Sequence, residues 1–214
     1  MSVTVINHYT TDVNHCHHLC YTLSMGRWKP DARARLEKAA LALYRERGFG
    51  QTTVAEIAER AGLTERTFFR YFTDKREVLF SGADALQQQL VGALDKASRS
   101  LLPIDAIGVA LESTVGLFER RKEFARKRQA VIAENAELQE RERIKLATLA
   151  SALAEGLRRR GAGDPAASLA AEMGITVFRI AFERWINEKG DRSLATIVRH
   201  CLKELKLVAG GAVQ

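Results

Sequence analysis

Apolar residues recur at helical spacing through nearly the whole chain from Pro30 onward. No segment alternates apolar and polar positions as a half-buried strand does, so the pattern predicts an all-α protein. Three prolines, Pro30, Pro103 and Pro165, each stand just ahead of a helical pattern. Proline's fixed φ suits a first helical turn, so these residues predict helix starts.

Two short helices are predicted after a longer first helix over residues 31–47, whose apolar side chains form one stripe. Thr53 predicts the start of the second helix, and Glu56 three residues later completes a capping box. Only residues 62–63 separate this helix from the third, which is predicted over 64–72. Helices joined by so brief a turn must cross steeply, which is the pattern of a helix-turn-helix motif.

The remaining segments are also predicted to be helical. A long connector helix is predicted from Asp74 to about Ser98, and further amphipathic helices follow Pro103. Residues 169–186 are apolar nearly all round, which predicts burial on several sides, and a final helix is predicted over 193–208.

The predicted organisation has three parts. Residues 1–26 form an N-terminal extension expected to be disordered. Residues 27–80 form the helix-turn-helix domain, with the connector reaching about residue 98. Residues 99–214 form a helical domain.

Composition excludes several classes of protein. The chain has 214 residues, 46% of them hydrophobic and 28% charged, so it can bury a real core. No stretch approaches the roughly 18 to 20 apolar residues that span a bilayer, and we expect a cytoplasmic protein without a membrane partner. Three cysteines, Cys16, Cys20 and Cys201, are too few for a disulfide framework.

The net charge is +7, and positive charge is densest in the N-terminal third of the chain. Residues 27–80 hold 12 lysines and arginines against 8 acidic residues. A basic balance favours a polyanionic partner, although this excess is modest for a purely electrostatic nucleic-acid coat.

The run over residues 49–79 reads FGQTTVAEIAERAGLTERTFFRYFTDKREVL. It resembles, without a gap, the DNA-binding domain of the tetracycline-repressor (TetR) family of bacterial regulators. The resemblance rests on Gly-Phe after the first helix, Thr-Thr-Val, Ile-Ala-x-x-Ala-Gly, Thr-Phe-Phe-x-Tyr-Phe and the following Asp-Lys. It implies a homodimer that binds operator DNA and responds to a small-molecule effector, with no cofactor.

A third helix lying in the major groove would present its N-terminal half to base edges and phosphates. Arg66 is the predicted base reader, and Arg70 one turn further reaches a base or a phosphate. Glu65 fits a base contact and a solvated first-turn acid equally well. The family commonly has a tyrosine at the position of Phe69, and without that hydroxyl Phe69 would meet a thymine methyl or a sugar. The predicted DNA contacts are Thr53, Thr64, Glu65, Arg66, Thr67, Phe69, Arg70, Tyr71 and Lys75.

A particular role is expected for several of these residues. Thr53 and the first amides of its helix are expected to bind a phosphate. Tyr71 and Lys75 are expected to anchor phosphates, with Arg27, Lys29 and Arg33 adding contacts from the arm. Phe68 and Phe72 are predicted to be core.

In regulators resembling this family, the C-terminal helices dimerise the protein and enclose a ligand pocket. The small residues of the segment 169–186 suit close helix packing, and the final helix would complete a dimeric four-helix bundle. Packing within the core of one chain is the alternative for this segment. The C-terminal sequence resembles the subset described as binding acyl-CoA-like ligands. The predicted pocket residues, each of which would also fit ordinary core, are Phe118, Phe124, Met173, Phe178, Phe182 and Trp185. Arg121, Arg126 and Arg128 fit a phosphate-bearing headgroup or a solvated helix face.

Histidines and cysteines cluster near the N-terminus, at His8, His15, Cys16, His17, His18 and Cys20. Their spacing matches no structural zinc pattern, so no metal site is expected. Family-like sequence begins at Met25, so residues 1–24 are expected to be disordered or adventitious.

No enzyme motif is present: the chain lacks GxxxxGK[ST], GxSxG, HExxH and a GxGxxG after a strand. We therefore expect a non-enzymatic, ligand-responsive repressor released from a palindromic operator. The alternative is an architectural or constitutive DNA-binding protein without an effector, and an enclosed ligand-sized cavity would distinguish the two.

Overall fold

The computed structural model describes residues 31–210, which contain helices and no strand, in agreement with the predicted all-α class. The predicted N-terminal extension, its metal-ligand residues, Arg27 and Lys29 lie outside the described residues. The helices of the described range are α1 Ala32–Arg47, α2 Val54–Arg60, α3 Glu65–Tyr71, α4 Ala83–Lys96, α5 Pro103–Ser113, α6 Val115–Phe118, α7 Lys122–Ala133, α8 Ala136–Arg159, α9 Ala166–Asn187 and α10 Leu194–Ala209. Two 3₁₀ turns, Glu77–Phe80 and Glu119–Arg121, complete the order.

The first three helices enclose one set of buried side chains, here named the helix-turn-helix core, which includes Leu36, Ile57 and Phe68. The predicted starts are confirmed, because Thr53 caps α2 and Thr64 caps α3 through their side-chain oxygens. The polar caps therefore set where α2 and α3 begin.

The predicted continuous connector helix over residues 74–98 is wrong. The chain instead makes the 3₁₀ turn Glu77–Phe80, and α4 starts only at Ala83. Residues 78–80 are all buried, and one face of an amphipathic α-helix cannot bury three consecutive side chains. Ser81 then donates a hydrogen bond of 2.6 Å from its hydroxyl to Glu37 of α1, so tertiary contacts break the helix.

The helices α4, α5, α8, α9 and α10 enclose a second set of buried side chains, here named the C-terminal core. The small residues of α9 belong to it, since a Cβ at Gly174 would clash with Ile107 of α5. The helix α10 likewise buries Ile197, Val198 and Leu202 against its own chain. These residues pack within one chain, and a four-helix bundle formed with a second copy through the outer faces of α9 and α10 stays a prediction.

The end of α7 and the start of α8 pack on the helix-turn-helix core. Val131, Ile132 and Leu138 are buried among its side chains. Arg128 Nε donates to the carbonyl oxygen of Leu79 at 2.5 Å. The C-terminal half of the chain therefore completes the core enclosed by α1, α2 and α3.

Residues 31–210 contain neither a membrane-spanning helix nor a metal-binding cluster. No helix in this range is long and apolar enough to cross a membrane. Within the same range, no group of histidine, cysteine and acidic side chains is arranged to hold a metal ion. Cys201 is a free thiol whose pKa is raised by burial.

Candidate nucleic-acid interface

The helix α3 has one buried face and one exposed face. Phe68 and Phe72 are buried in the helix-turn-helix core, which confirms their predicted role. The side chains open to solvent are Glu65, Arg66, Phe69, Arg70 and Tyr71. Because cationic, apolar and hydroxyl groups share this surface, it can make both hydrogen bonds and apolar contacts in a DNA groove.

The turn between α2 and α3 is held by backbone and side-chain hydrogen bonds. Gly62 has a φ of +62°, the left-handed conformation that glycine adopts without steric cost. The guanidinium of Arg35 in α1 donates to the carbonyl oxygens of Ala61 and Gly62. A Cβ at Gly62 would lie 2.9 Å from Nη2 of Arg35, so a larger residue there would also displace the end of that side chain.

The threonine contacts predicted from the sequence lie at helix starts. The hydroxyl oxygen of Thr64 accepts the backbone N–H of Thr67 at 3.2 Å, and the two hydroxyl oxygens are 3.0 Å apart. Thr53 donates its N–H and its hydroxyl to the Glu56 carboxylate, at 2.8 and 2.9 Å. These two hydrogen bonds hold the pKa of Glu56 below its ordinary value. The Glu56 carboxylate therefore already accepts hydrogen bonds from the N–H and hydroxyl of Thr53, which was expected to bind a phosphate.

The side chains at the centre of the exposed face differ in whether they contact other residues of the chain. Arg66 has no hydrogen bond or ion pair with any residue that the structure describes. The guanidinium carbon of Arg70 lies 5.1 Å from the ring centre of Tyr71, and Nη2 lies 3.4 Å from its hydroxyl. Phe69 packs edge-on against Phe68, with ring centres 5.4 Å apart. Arg66 is thus available for a base, while Arg70 and Tyr71 form a pair.

Lys75 occupies a different place from the phosphate-anchoring one expected for it. Its ammonium donates to the carbonyl oxygens of Phe49, Gly50 and Thr52 at 2.9, 3.2 and 2.8 Å. It also lies 4.5 Å from the ring centre of Phe49. An ammonium has three protons, so all of its donors are engaged. Lys75 therefore ties the end of the helix-turn-helix to the turn between α1 and α2.

Tyr44 holds the same junction from inside the core and was predicted only as an apolar residue of α1. Its hydroxyl donates to the carbonyl oxygen of Lys75 at 2.6 Å. Burial, and secondarily the charge of Asp74, raise the pKa of Tyr44 well above its ordinary value. No local signal in the sequence identifies this partner, because it lies 31 positions away.

Four of the six predicted pocket residues form one aromatic cluster: Phe118, Phe178, Phe182 and Trp185. Neighbouring ring centres in it are 5.3 to 5.9 Å apart. The other two residues lie elsewhere. Phe124 packs against the helix-turn-helix core beneath Arg121, and Met173 is exposed on α9.

The predicted headgroup arginines all have partners within the chain. Arg121 donates to the buried Glu37 of α1 at 2.7 Å. Arg126 pairs with Glu123 on its own helix, and Arg128 bonds the carbonyl oxygen of Leu79. Arg121 and Arg128 therefore join the C-terminal half to the DNA-binding half.

Two open depressions lie on the surface of the described residues. One, of about 440 Å³, runs between α8 and α9, and another, of about 810 Å³, lies between the end of α9 and α10. Neither is lined by any of the six predicted pocket residues.

Comparison with known proteins gives the same assignment for both halves of the chain. The profile of bacterial regulatory proteins of the tetR family matches residues 36–81, and that of the MftR C-terminal domain matches residues 101–209. The chain is 26% identical to the mycofactocin biosynthesis transcriptional regulator MftR of Mycobacterium tuberculosis over 168 residues. This match covers 77% of this chain and 85% of that protein.

Two further similarities concern the N-terminal half and the fold. The HTH-type transcriptional regulator TcmR of Streptomyces glaucescens is 33% identical over 84 residues, 39% of this chain and 37% of that protein. The structure of FadR from Bacillus subtilis in complex with stearoyl-CoA is 19% identical, with a TM-score of 0.56, over 85% of this chain and 99% of that one. This likeness shows the shared fold. Since the C-terminal profile alone covers half of the sequence, the chain belongs to the TetR family of bacterial regulatory proteins, with a C-terminal domain of the MftR type.

Proposed function

We propose that this protein is a homodimeric repressor that binds an inverted-repeat operator through α3 and is released by a small amphipathic effector. Residues 27–80 would bind DNA, and residues 99–214 would dimerise and bind the effector. The observation that carries the proposal is the exposed face of α3, on which Arg66 stands without a partner among the described residues. Arginine in a major groove pairs with guanine through two hydrogen bonds.

An exposed apolar strip on α8 and α9 supports a dimer. Ile144 of α8 and Leu169 and Met173 of α9 are large side chains open to solvent. The groove between these two helices runs beside them. Exposed apolar strips of this kind mark protein–protein contacts, and a twofold axis would place α8 and α9 against their copies.

A single charge on this strip tests the dimer. Met173→Glu should yield a monomer in sedimentation at micromolar concentration, because a carboxylate would be buried without a partner. Leu117→Glu on α6 is the matched control, since Leu117 is 42% exposed and Met173 is 38% exposed. A dimeric Met173→Glu protein would place the interface on another surface.

An effector response is supported by the route from the aromatic cluster to the DNA-binding half. Phe118 belongs to the cluster, and Arg121, at the end of the adjoining 3₁₀ turn, holds Glu37 of α1. Ser81, where the connector breaks, bonds the other oxygen of Glu37. A ligand that opened the cluster would displace Phe118 and strain these bonds. Such a ligand would bind the conformation released from DNA more tightly than the DNA-bound conformation. This difference in affinity is what would lower operator binding.

Stearoyl-CoA is a suitable probe because the similar fold of Bacillus subtilis FadR is described in complex with it. Stearoyl-CoA should lower operator affinity by about 5- to 150-fold, and operator should weaken ligand binding by the same factor. The measurement is a pair of titrations, operator binding with and without ligand and ligand binding with and without operator. Coenzyme A alone is the control for the headgroup.

The closed aromatic cluster favours a second candidate, a constitutive DNA-binding protein without an effector. Its rings contact one another, with the centre of Phe178 5.9 Å from Phe118 and 5.8 Å from Phe182, so an acyl chain would have to displace them. Equal operator affinities with and without a panel of acyl-CoA and free fatty-acid ligands would support this candidate. They would leave the DNA-binding assignment in place.

A further inference from the structure

Phe69 is an exposed aromatic ring on the proposed DNA-reading face. Its side chain is 55% exposed, against 39% for Tyr71. It packs edge-on against the buried Phe68, at 82° between the ring planes. The ring is therefore held by the core while most of its surface remains open.

The position of Phe69 relates it to Arg66 on the same helix. Three residues of α-helix advance about 4.5 Å and turn about 300°, so the two side chains share the exposed face. Successive base pairs are about 3.4 Å apart, so Phe69 lies roughly one or two base steps from the base that Arg66 contacts. The guanidinium of Arg70 lies over Tyr71, and so it leaves Phe69 uncovered.

The chemistry of the ring limits what it can contact. It has no hydrogen-bond donor or acceptor, so placing it on a phosphate would desolvate a charge without compensation. The major groove offers one prominent apolar group, the C5-methyl of thymine. We infer that Phe69 determines specificity by packing on a thymine methyl one or two base steps from the guanine bound by Arg66. This inference rests on the proposed placement of α3 in the major groove.

The test removes the methyl group from the DNA. Binding sites are first selected from randomised duplexes with the full chain, and each thymine of the half-site is then replaced in turn by deoxyuridine. Burial of one methyl group corresponds to about a fourfold change in affinity. At one thymine per half-site, deoxyuridine should weaken wild-type binding about fourfold, or about 15-fold when both half-sites are changed.

Two protein variants assign the effect to Phe69. Phe69→Ala should bind the thymine and deoxyuridine sites equally. Arg66→Ala should bind more weakly overall but keep the thymine preference, because it leaves the ring in place. A thermal melt of each variant checks that the fold is intact, which the exposure of both side chains favours.

The outcomes separate this inference from the proposal on which it rests. If wild-type protein shows no thymine preference at any position, or if Phe69→Ala keeps it, Phe69 reads no methyl group and the inference is overturned. The selected site would still support sequence-specific binding. If the full chain selects no sequence at all, both the proposed function and this inference fail.

Discussion

Replacing Lys75 with methionine tests the structural role that its contacts indicate. The change keeps most of the apolar stem and removes the ammonium that bonds the carbonyl oxygens of Phe49, Gly50 and Thr52. A hydrogen bond to a charged group contributes about 1.5 to 3 kcal/mol, but water can replace part of it at the exposed Gly50. We expect Lys75→Met to lower the free energy of unfolding by about 2 to 3 kcal/mol.

Two measurements distinguish this role from a phosphate contact. Urea denaturation at fixed protein concentration should show a lower midpoint with an unchanged slope. Operator binding should keep the same slope of log K against log salt, because no phosphate contact is lost. Each lost phosphate contact would reduce that slope by about 0.9, hence by about 1.8 for a dimer.

The control is Lys38→Met, which removes an exposed lysine from α1. It should leave the free energy of unfolding within about 0.5 kcal/mol of wild type. The reasoning would be refuted if Lys75→Met kept wild-type stability and lost about 1.8 units of salt slope. Lys75 would then be a phosphate anchor, and its carbonyl contacts would be of no consequence.

Three further changes have defined outcomes. Arg66→Ala should cost about 1 to 3 kcal/mol of affinity on the selected site and little on a scrambled site, measured by fluorescence anisotropy. Gly62→Ala should lower stability by about 1 to 2 kcal/mol in urea, because its φ is positive and a Cβ would press on Arg35; unchanged stability would contradict that geometry. Tyr44 has a raised pKa, so the stability it contributes is present below its ordinary value of 10.0 and is lost as pH rises above it. Between about pH 9 and pH 11, wild type should therefore lose more stability than Tyr44→Phe, and equal losses would show that Tyr44 titrates normally.

Local signals predicted the DNA-binding helices correctly. Thr53 and Glu56 form the capping box expected from their spacing, and Thr64 caps α3. Both features depend on residues within one turn of each other, so sequence alone specifies them. The burial of Phe68 and Phe72 follows from the same periodicity.

Long-range contacts account for what the sequence did not predict. The connector breaks because residues 78–80 are buried together and Ser81 bonds Glu37, 44 positions away. Lys75 looked like a free cation because its acceptors lie 23 to 26 positions earlier in the chain. Neither the partner of Ser81 nor the acceptors of Lys75 can be identified from spacing along the sequence.

Some of the predicted pocket residues lie where helical spacing alone puts them, whereas the position of others depends on long-range packing. Spacing along α9 brought Phe178, Phe182 and Trp185 to one side. Met173 is five positions from Phe178, which at about 100° per residue puts it about 140° away on the helix. Periodicity could therefore have separated it from the aromatic set, whereas the position of Phe124 on the helix-turn-helix core depends on how α7 packs.

In the proposed dimer, two copies of α3 read successive major grooves of one inverted repeat, about 34 to 36 Å apart. The most direct measurement compares the affinity of the full chain for the selected site with that for the same site after five base pairs are inserted between the half-sites. The insertion turns one half-site about half a helical turn away from the other. Affinity should fall toward the non-specific level, about a thousandfold or more below that of the selected site. Equal affinities for the two duplexes would contradict the claim, because each chain would then read its half-site alone.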